Sequence, residues 1–169
     1  WLETVESKAT EAGAQVHYAR DSQEICKLVV DIARRHGVRK ITKSKSMVTE
    51  EAGLNRALEA AGIQPVETDL GEYILQINDN EPPSHIIAPV FHKSKEEISD
   101  LFARTHNTPR KTDINELTRE AREQLRPHFL SSDMASRVAT SSSPKPARLP
   151  SSPTRVMAGC APRCPRCTW

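Results

Sequence analysis

Lys43-Ser-Lys-Ser-Met-Val-Thr-Glu-Glu51 is the stretch on which the fold turns. It follows Val38 to Thr42, a short strand candidate, and it opens a helix. Junctions of this kind are where α/β proteins place their chemistry. Two cations (Lys43, Lys45), three hydroxyls (Ser44, Ser46, Thr49) and two carboxylates (Glu50, Glu51) fall inside the run. A helix N-terminus carries unpaired N–H groups and partial positive charge. The run is therefore a candidate site for a phosphate or carboxylate, held by Lys45 and the N–H groups from Ser46 to Thr49. The bland alternative is a capped helix start, with Ser46 or Thr49 as N-cap and Glu50 and Glu51 in the first turn. No glycine is present, which excludes a P-loop or a dinucleotide-binding loop. On spacing alone the capping reading is favoured.

Outward from the run, helices and strands alternate. Toward the N-terminus, Leu2 to Ala14 reads as a helix and Val16 to Ala19 as a short strand. Asp21 caps a helix whose Ile25, Leu28, Val29, Ile32 and Ala33 recur at helical spacing, and Gly37 ends it. Toward the C-terminus, Thr49-Glu50-Glu51 opens a helix with Leu54, Leu58 and Ala61 on one face, closed by Gly62. Ile63 to Thr68 is a third strand, and Pro65 toward its start favours an edge position or a late strand onset. Asp69 to Glu72 reads as a turn or cap before the apolar Tyr73 to Ile77. Asn78 to Ser84 is a loop, and His85 to Val90 a fourth strand candidate. Ser94 caps a helix through Arg104, with Ile98, Leu101 and Phe102 inward. A last helix starts at Asp113, and Pro127 disturbs its end. This rhythm predicts an α/β layered fold with a parallel sheet.

Composition divides the chain near Met134. Residues 1–134 hold 18 Lys or Arg against 22 Asp or Glu, whereas residues 135–169 hold six basic residues and no acid. The tail also carries six of the twelve prolines and three of the four cysteines, and Ser141-Ser-Ser-Pro-Lys-Pro has no periodicity. We read 135–169 as a disordered Ser/Pro/Arg/Cys tail. Nucleic-acid binding would rest wholly on that tail, and none is expected. No stretch approaches the roughly 18 apolar residues of a membrane-spanning helix, and no signal peptide is visible. The expected location is the cytoplasm. Because the chain begins with Trp1 and not Met, its true N-terminus is expected to lie upstream.

A second cluster of chemistry is Glu67-Thr-Asp-Leu-Gly-Glu72, with Glu67, Asp69 and Glu72 following a strand. Such carboxylates suit a divalent cation or acid/base work; the plainer reading is an acidic loop with Asp69 as a cap. The six histidines form no spaced ligand pair and are read as structural or solvent-facing. Cys160, Cys164 and Cys167 have the spacing of a cluster-binding triplet. They lack a fourth ligand and an apolar surround, so the spacing is read as accidental and no metal is assigned.

Three strings in this order, Lys43 to Glu51, Glu67-Thr-Asp-Leu-Gly-Glu-Tyr-Ile74 and Pro82-Pro-Ser-His-Ile-Ile-Ala-Pro89, resemble the LUD domain of the lactate utilization protein B family. The resemblance covers residues 2–134 and ends in Phe129-Leu-Ser-Ser-Asp-Met134. It implies the NagB/RpiA/CoA-transferase-like α/β fold, here incomplete. It also implies a role as an iron–sulfur electron-transfer subunit in oxidation of L-lactate to pyruvate, with other lactate-utilization subunits as partners. Two 4Fe–4S clusters are expected in intact relatives, with ligands beyond the end of this chain and no cofactor within it. The chain is then a fragment, inactive alone and poorly stable for want of the strands that complete its sheet. The alternative is a small-molecule-binding or acyl-transfer-like α/β domain without a redox role. The resemblance assigns no catalytic residue, so Lys43, Ser44, Lys45, Ser46, Glu50, Glu51, Glu67, Asp69 and Glu72 stand as candidates for an anion or substrate site. Where relatives continue with a Gly-rich apolar segment, this chain departs at Ala135. Restoring one base after the Met134 codon, with free choice of wobble bases, yields Gly-Val-Thr-Gly-Gly-Asn-Phe-Leu-Val-Ala-Glu-Thr-Gly. That string is similar to the family's continuation, so the tail is expected to be out of frame.

Overall fold

The computed structural model describes residues 2–85, 87–138 and 156–160, the last of these as backbone. In chain order the elements are α1 (Leu2–Glu11), α2 (Ser22–Arg35), β1 (Lys40–Lys43), α3 (Met47–Glu51), α4 (Leu54–Ala60) and β2 (Gln64–Glu67). They continue with α5 (Leu70–Ile77), α6 (Lys95–His106), α7 (Ile114–Ser131), β3 (Met134–Val138) and β4 (Val156–Cys160). The sheet order is β2-β1-β3-β4. β1 runs parallel to both β2 and β3, with Lys43 beside Glu67 and Ile41 beside Met134, while β4 is antiparallel to β3. The fold is α/β with a small parallel sheet, as the alternating pattern predicts.

Strand periodicity sorts the two faces of the sheet. Ile41 and Met134 point to one side, where they pack with Val29 and Ala33 of α2 and Leu54 and Leu58 of α4. Val66 points to the other side, into Tyr73 and Ile74 of α5, Leu101 and Phe102 of α6, and Leu117, Ala121 and Leu125 of α7. The result is three layers, with an aliphatic core on the α2–α4 side and a mixed aliphatic and aromatic core on the other. The end of α7 is tied to β1 by its own sequence. Asp133 Oδ2 accepts the Arg39 and Lys40 N–H groups at 3.0 and 3.1 Å, and Ser132 Oγ accepts that of Thr42 at 3.1 Å.

β2 is an edge strand among the described residues, and Pro65 fits there because an outward-facing position needs no N–H. The remaining outward groups are covered by Gln76 of α5. Its Oε1 accepts the Glu67 N–H at 3.0 Å and its Nε2 donates to Pro65 O at 2.9 Å. One side chain thus blunts the exposed edge.

Several expectations are corrected. Val16 to Ala19 is not a strand: His17, Tyr18 and Ala19 are exposed, and no strand of the described sheet runs beside them. The single helix expected from Thr49 is two, α3 and α4, broken at Gly53, whose φ of 69° lies in the left-handed region. The described residues of His85 to Val90 form turns and not a strand. The segment folds back on itself, with Ser84 N–H donating to Pro89 O at 3.1 Å and His85 Nδ1 accepting from Ile87 N and Ala88 N. Its apolar residues misled because Ile87 faces outward, as does the neighbouring Phe91. Helix α7 runs through Pro127 to Ser131. Ala135 to Val138, placed by composition in the disordered tail, form the rest of β3, and Val156 to Cys160 of the same tail form β4. The disorder expected for the tail otherwise falls on residues 139–155 and 161–169, which lie outside the described residues.

Candidate functional site

The three sequence strings meet at the C-terminal ends of β1 and β2. Lys43 and Glu67 are neighbours in the parallel register, so their side chains leave the same face side by side. Lys43 Nζ lies 2.6 Å from Glu67 Oε1 and 2.6 Å from Asn55 Oδ1 of α4, while Asn55 Nδ2 donates to the same Glu67 oxygen at 2.8 Å. Both charged side chains are buried, at 2% and 5% exposure. Full pairing is what makes such a burial tolerable.

β1 ends at Lys43, and the chain changes direction. Ser44 N–H donates to Ser136 O of β3, and Ser46 caps α3 by accepting the Thr49 N–H at 3.2 Å. The capping reading of this run therefore holds for Ser46. Between them Lys45 extends toward α5, where its Nζ lies 2.9 Å from Glu72 Oε1. It also reaches the Ile87 carbonyl of the third string at 3.4 Å. Asp69 caps α5 by accepting the Gly71 N–H at 3.2 Å. Pro89 packs on the same helix start so closely that a Cβ at Gly71 would sit 2.6 Å from its ring. Glu50 and Glu51 stay in the short α3, half-buried and exposed respectively, and neither joins the group.

The loop that carries the third string is closed at its neck. Glu81 pairs with His92 at 2.8 Å and Lys93 at 2.6 Å, and those contacts draw its carboxyl down to about 2. Glu72 behaves in the opposite sense. Burial first, and then the Asp69 carboxylate beside it, favour the protonated form and push its pKa up to about 8, against the pull of Lys45. Asp69 is correspondingly lowered, chiefly by its hydrogen bond with Glu72. Glu72 Oε2 is buried with no N–H or hydroxyl partner, and the side chain's remaining hydrogen bond is to the Asp69 carboxylate.

A second polar cluster escaped sequence reading. Tyr73 Oη lies 2.9 Å from His106 Nε2, and His106 Nδ1 lies 2.8 Å from Glu120 Oε1. Thr108 donates to the same carboxylate at 2.5 Å, and Lys111 pairs with it at 2.9 Å. Burial works against the charge of Glu120, yet these three donors bring its pKa down to about 2. Its members lie on α5, α6, α7 and the α6–α7 linker, and no short spacing links them. A cavity of about 480 Å³ opens beside α7, lined by Thr68, Leu70, Ala121, Arg122, Leu125 and Phe129 among others, and it includes none of the candidate residues.

Among the described side chains Cys26 is the one cysteine, half-buried, with its Sγ donating to Ala52 O at 3.2 Å and its thiol pushed up by burial. A 4Fe–4S cluster takes four thiolates, and Cys26 is the one thiol among the described side chains. Cys164 and Cys167 lie outside the described residues. No helix among the described residues is long and apolar enough to cross a membrane.

An α/β layered domain with a charged cluster at the strand ends is the class that fold and site define. The sequence profile of the LUD domain matches residues 2–135, and the chain belongs to that family. It is 46% identical over 134 residues to lactate utilization protein B of Shouchella clausii and of Geobacillus kaustophilus, and 44% identical to that of Bacillus licheniformis. Each match covers 79% of this chain and 28% of the relative, so the chain spans under a third of the curated relatives' length. The profile match stops beside the composition boundary. No solved structure matches the chain.

Proposed function

We propose that the chain is the LUD portion of an iron–sulfur electron-transfer protein of L-lactate utilization, a subunit of a complex that oxidises L-lactate to pyruvate. The observation that carries this reading is the 44–46% identity to proteins named lactate utilization protein B across the whole matched segment. The meeting of three separated strings at one end of the sheet supports a working site in this portion. The two 4Fe–4S clusters belong to the intact protein, with ligands beyond residue 169, and the partners are other lactate-utilization subunits in the cytoplasm. The chain alone is inactive in this reading, because it spans 28% of those relatives.

The deciding experiment is growth on L-lactate as the sole carbon source. Deleting the gene should abolish growth. The gene with its reading frame restored after the Met134 codon should rescue it, and the 169-residue chain should not. Unimpaired growth of the deletion strain refutes the lactate role. A colourless intact protein without cluster absorbance refutes the electron-transfer role and favours a small-molecule-binding domain. Nucleotide sequence across the Met134 codon, with a matching native transcript, decides whether the tail is out of frame; an intact frame through residue 169 refutes it.

A further inference from the structure

We infer that two copies of this chain associate reciprocally, α1 of each lying in the groove along α7 of the other. That groove is the cavity of about 480 Å³ between the start of α5 and the outer side of α7. Leu70, Leu125, Phe129 and Leu130 make it apolar, and all of these but Leu125 are large hydrophobic side chains exposed to solvent. Arg122 and Arg126, one helical turn apart, also line it, and no carboxylate does. Neither arginine makes an ion pair among the described residues. An apolar groove with cations beside it fits the apolar face of an acidic helix.

Helix α1 has that chemistry. It buries none of its residues and belongs to neither core. Leu2, Val5 and Ala9 recur at helical spacing on one stripe, with Leu2 exposed and the other two half-buried. Glu3 and Glu6 flank that stripe on a single side. Lys8 is taken by Glu11, and Glu6 accepts from the neutral Tyr18 hydroxyl. Neither Glu3 nor Glu6 therefore pairs with a cation among the described residues. Lengths agree as well: the 10 residues of α1 span about 15 Å, and the groove from Thr118 to Leu130 about 18 Å. In the groove, the stripe covers Leu125 and Phe129 while Glu3 and Glu6 meet the arginine pair.

The position of the two halves makes the occupant a second copy. Helix α1 leads into α2, which packs on one face of the sheet, whereas the groove belongs to the α5–α7 layer on the other. Each copy carries one helix and one groove, so the exchange closes as a two-fold dimer and makes the contact twice. Apolar burial supplies most of the affinity, and the charge pairs set direction and register.

The test is sedimentation velocity of the full 169-residue chain, in a concentration series reaching about 1 mM, where weak specific association is still visible. The parent should form a concentration-dependent dimer that weakens as NaCl rises from about 0.05 M to about 0.5 M. Arg122→Glu with Arg126→Glu, or Glu3→Lys with Glu6→Lys, should weaken dimerisation about ten-fold or more, with the parent circular dichroism retained. All four exchanges together should restore the dimer, because the charges then match again with opposite sign. Phe129→Ser should weaken it while leaving its salt dependence in place. A parent that stays monomeric throughout, a dimer indifferent to either reversed pair, or a fourfold variant that stays monomeric overturns the inference.

Discussion

Replacing Lys43 with Met is the sharpest test of how the sheet end is held. The ion pair sits at 2.6 Å with both side chains at least 95% buried, and Asn55 bonds to each partner. At that separation and an effective dielectric near 20, the attraction is about 6 kcal/mol. Desolvating two ions costs several kcal/mol each, so the net value of the pair is small. The cost of breaking it is not small, because Lys43→Met leaves the Glu67 carboxylate buried with only the Asn55 amide as a side-chain donor. The expected loss is about 3–5 kcal/mol of unfolding free energy. Lys43→Met combined with Glu67→Leu should recover most of that loss, since an apolar pair of similar volume carries no orphaned charge. Urea unfolding followed by far-ultraviolet circular dichroism on parent, both single variants and the double variant gives the coupling directly. A single variant within about 1 kcal/mol of the parent, or additive effects in the cycle, refutes the account.

Other expectations follow from the same geometry. Glu72 has a folded pKa near 8 against an ordinary value of 4.5, so the folded state binds the extra proton; its contribution is complete below about pH 4.5 and is lost as pH rises to about 8. Glu72→Gln should therefore flatten the decline in urea midpoint across that window, and parallel pH curves for the two proteins would contradict this. Gly71→Ala drives a methyl into Pro89 and should cost about 1–3 kcal/mol, with faster proteolysis between residues 81 and 92; an unchanged cleavage rate refutes the close approach. Tyr73→Phe removes the hydroxyl facing His106 Nε2 inside the core, at an expected cost of about 1–3 kcal/mol in urea unfolding, and a neutral substitution would show that His106 is satisfied without it.

The parts of the fold legible in the sequence are those governed by local rules. Asp21, Ser94 and Asp113 announce α2, α6 and α7, and each proves to be the N-cap. Pro65 announces the edge position of β2 by what it lacks. Errors arise where tertiary contacts override composition. The apolar string His85 to Val90 looks like a buried strand, but the folding-back between Ser84 and Pro89 turns Ile87 outward. The apolar face of Leu54 and Leu58 suggests one long helix, and the interruption at Gly53 is a backbone event that this face hides. Within the site, the candidate carboxylates are visible as residues but not as partners. Nothing in the spacing says that Glu67 pairs with Lys43 while Glu72 is hydrogen-bonded to Asp69. His106 and Glu120 are invisible for the same reason, since their pairing depends on how α6 and α7 cross.

The two lysines of the opening run show how one string comes to serve two ends. Strand periodicity alone would place Lys43 and Lys45 on the same face. The strand stops at Lys43, however, and the backbone between Ser44 and Ser46 turns from sheet pairing to helix capping within three residues. Lys43 stays on the α4 side, where Asn55 and Glu67 consume its charge. Lys45 is released to the α5 side, where the acid it meets is held neutral by burial and by Asp69. A buried, fully paired lysine thus sits two residues before a partly exposed one that faces the hydrogen-bonded carboxyl pair Asp69–Glu72. That division follows from where the strand stops, and not from capping or helix polarity alone. The third string meets the same sheet end, with Pro89 packed on Gly71 at the start of α5 and the Ile87 carbonyl 3.4 Å from Lys45 Nζ.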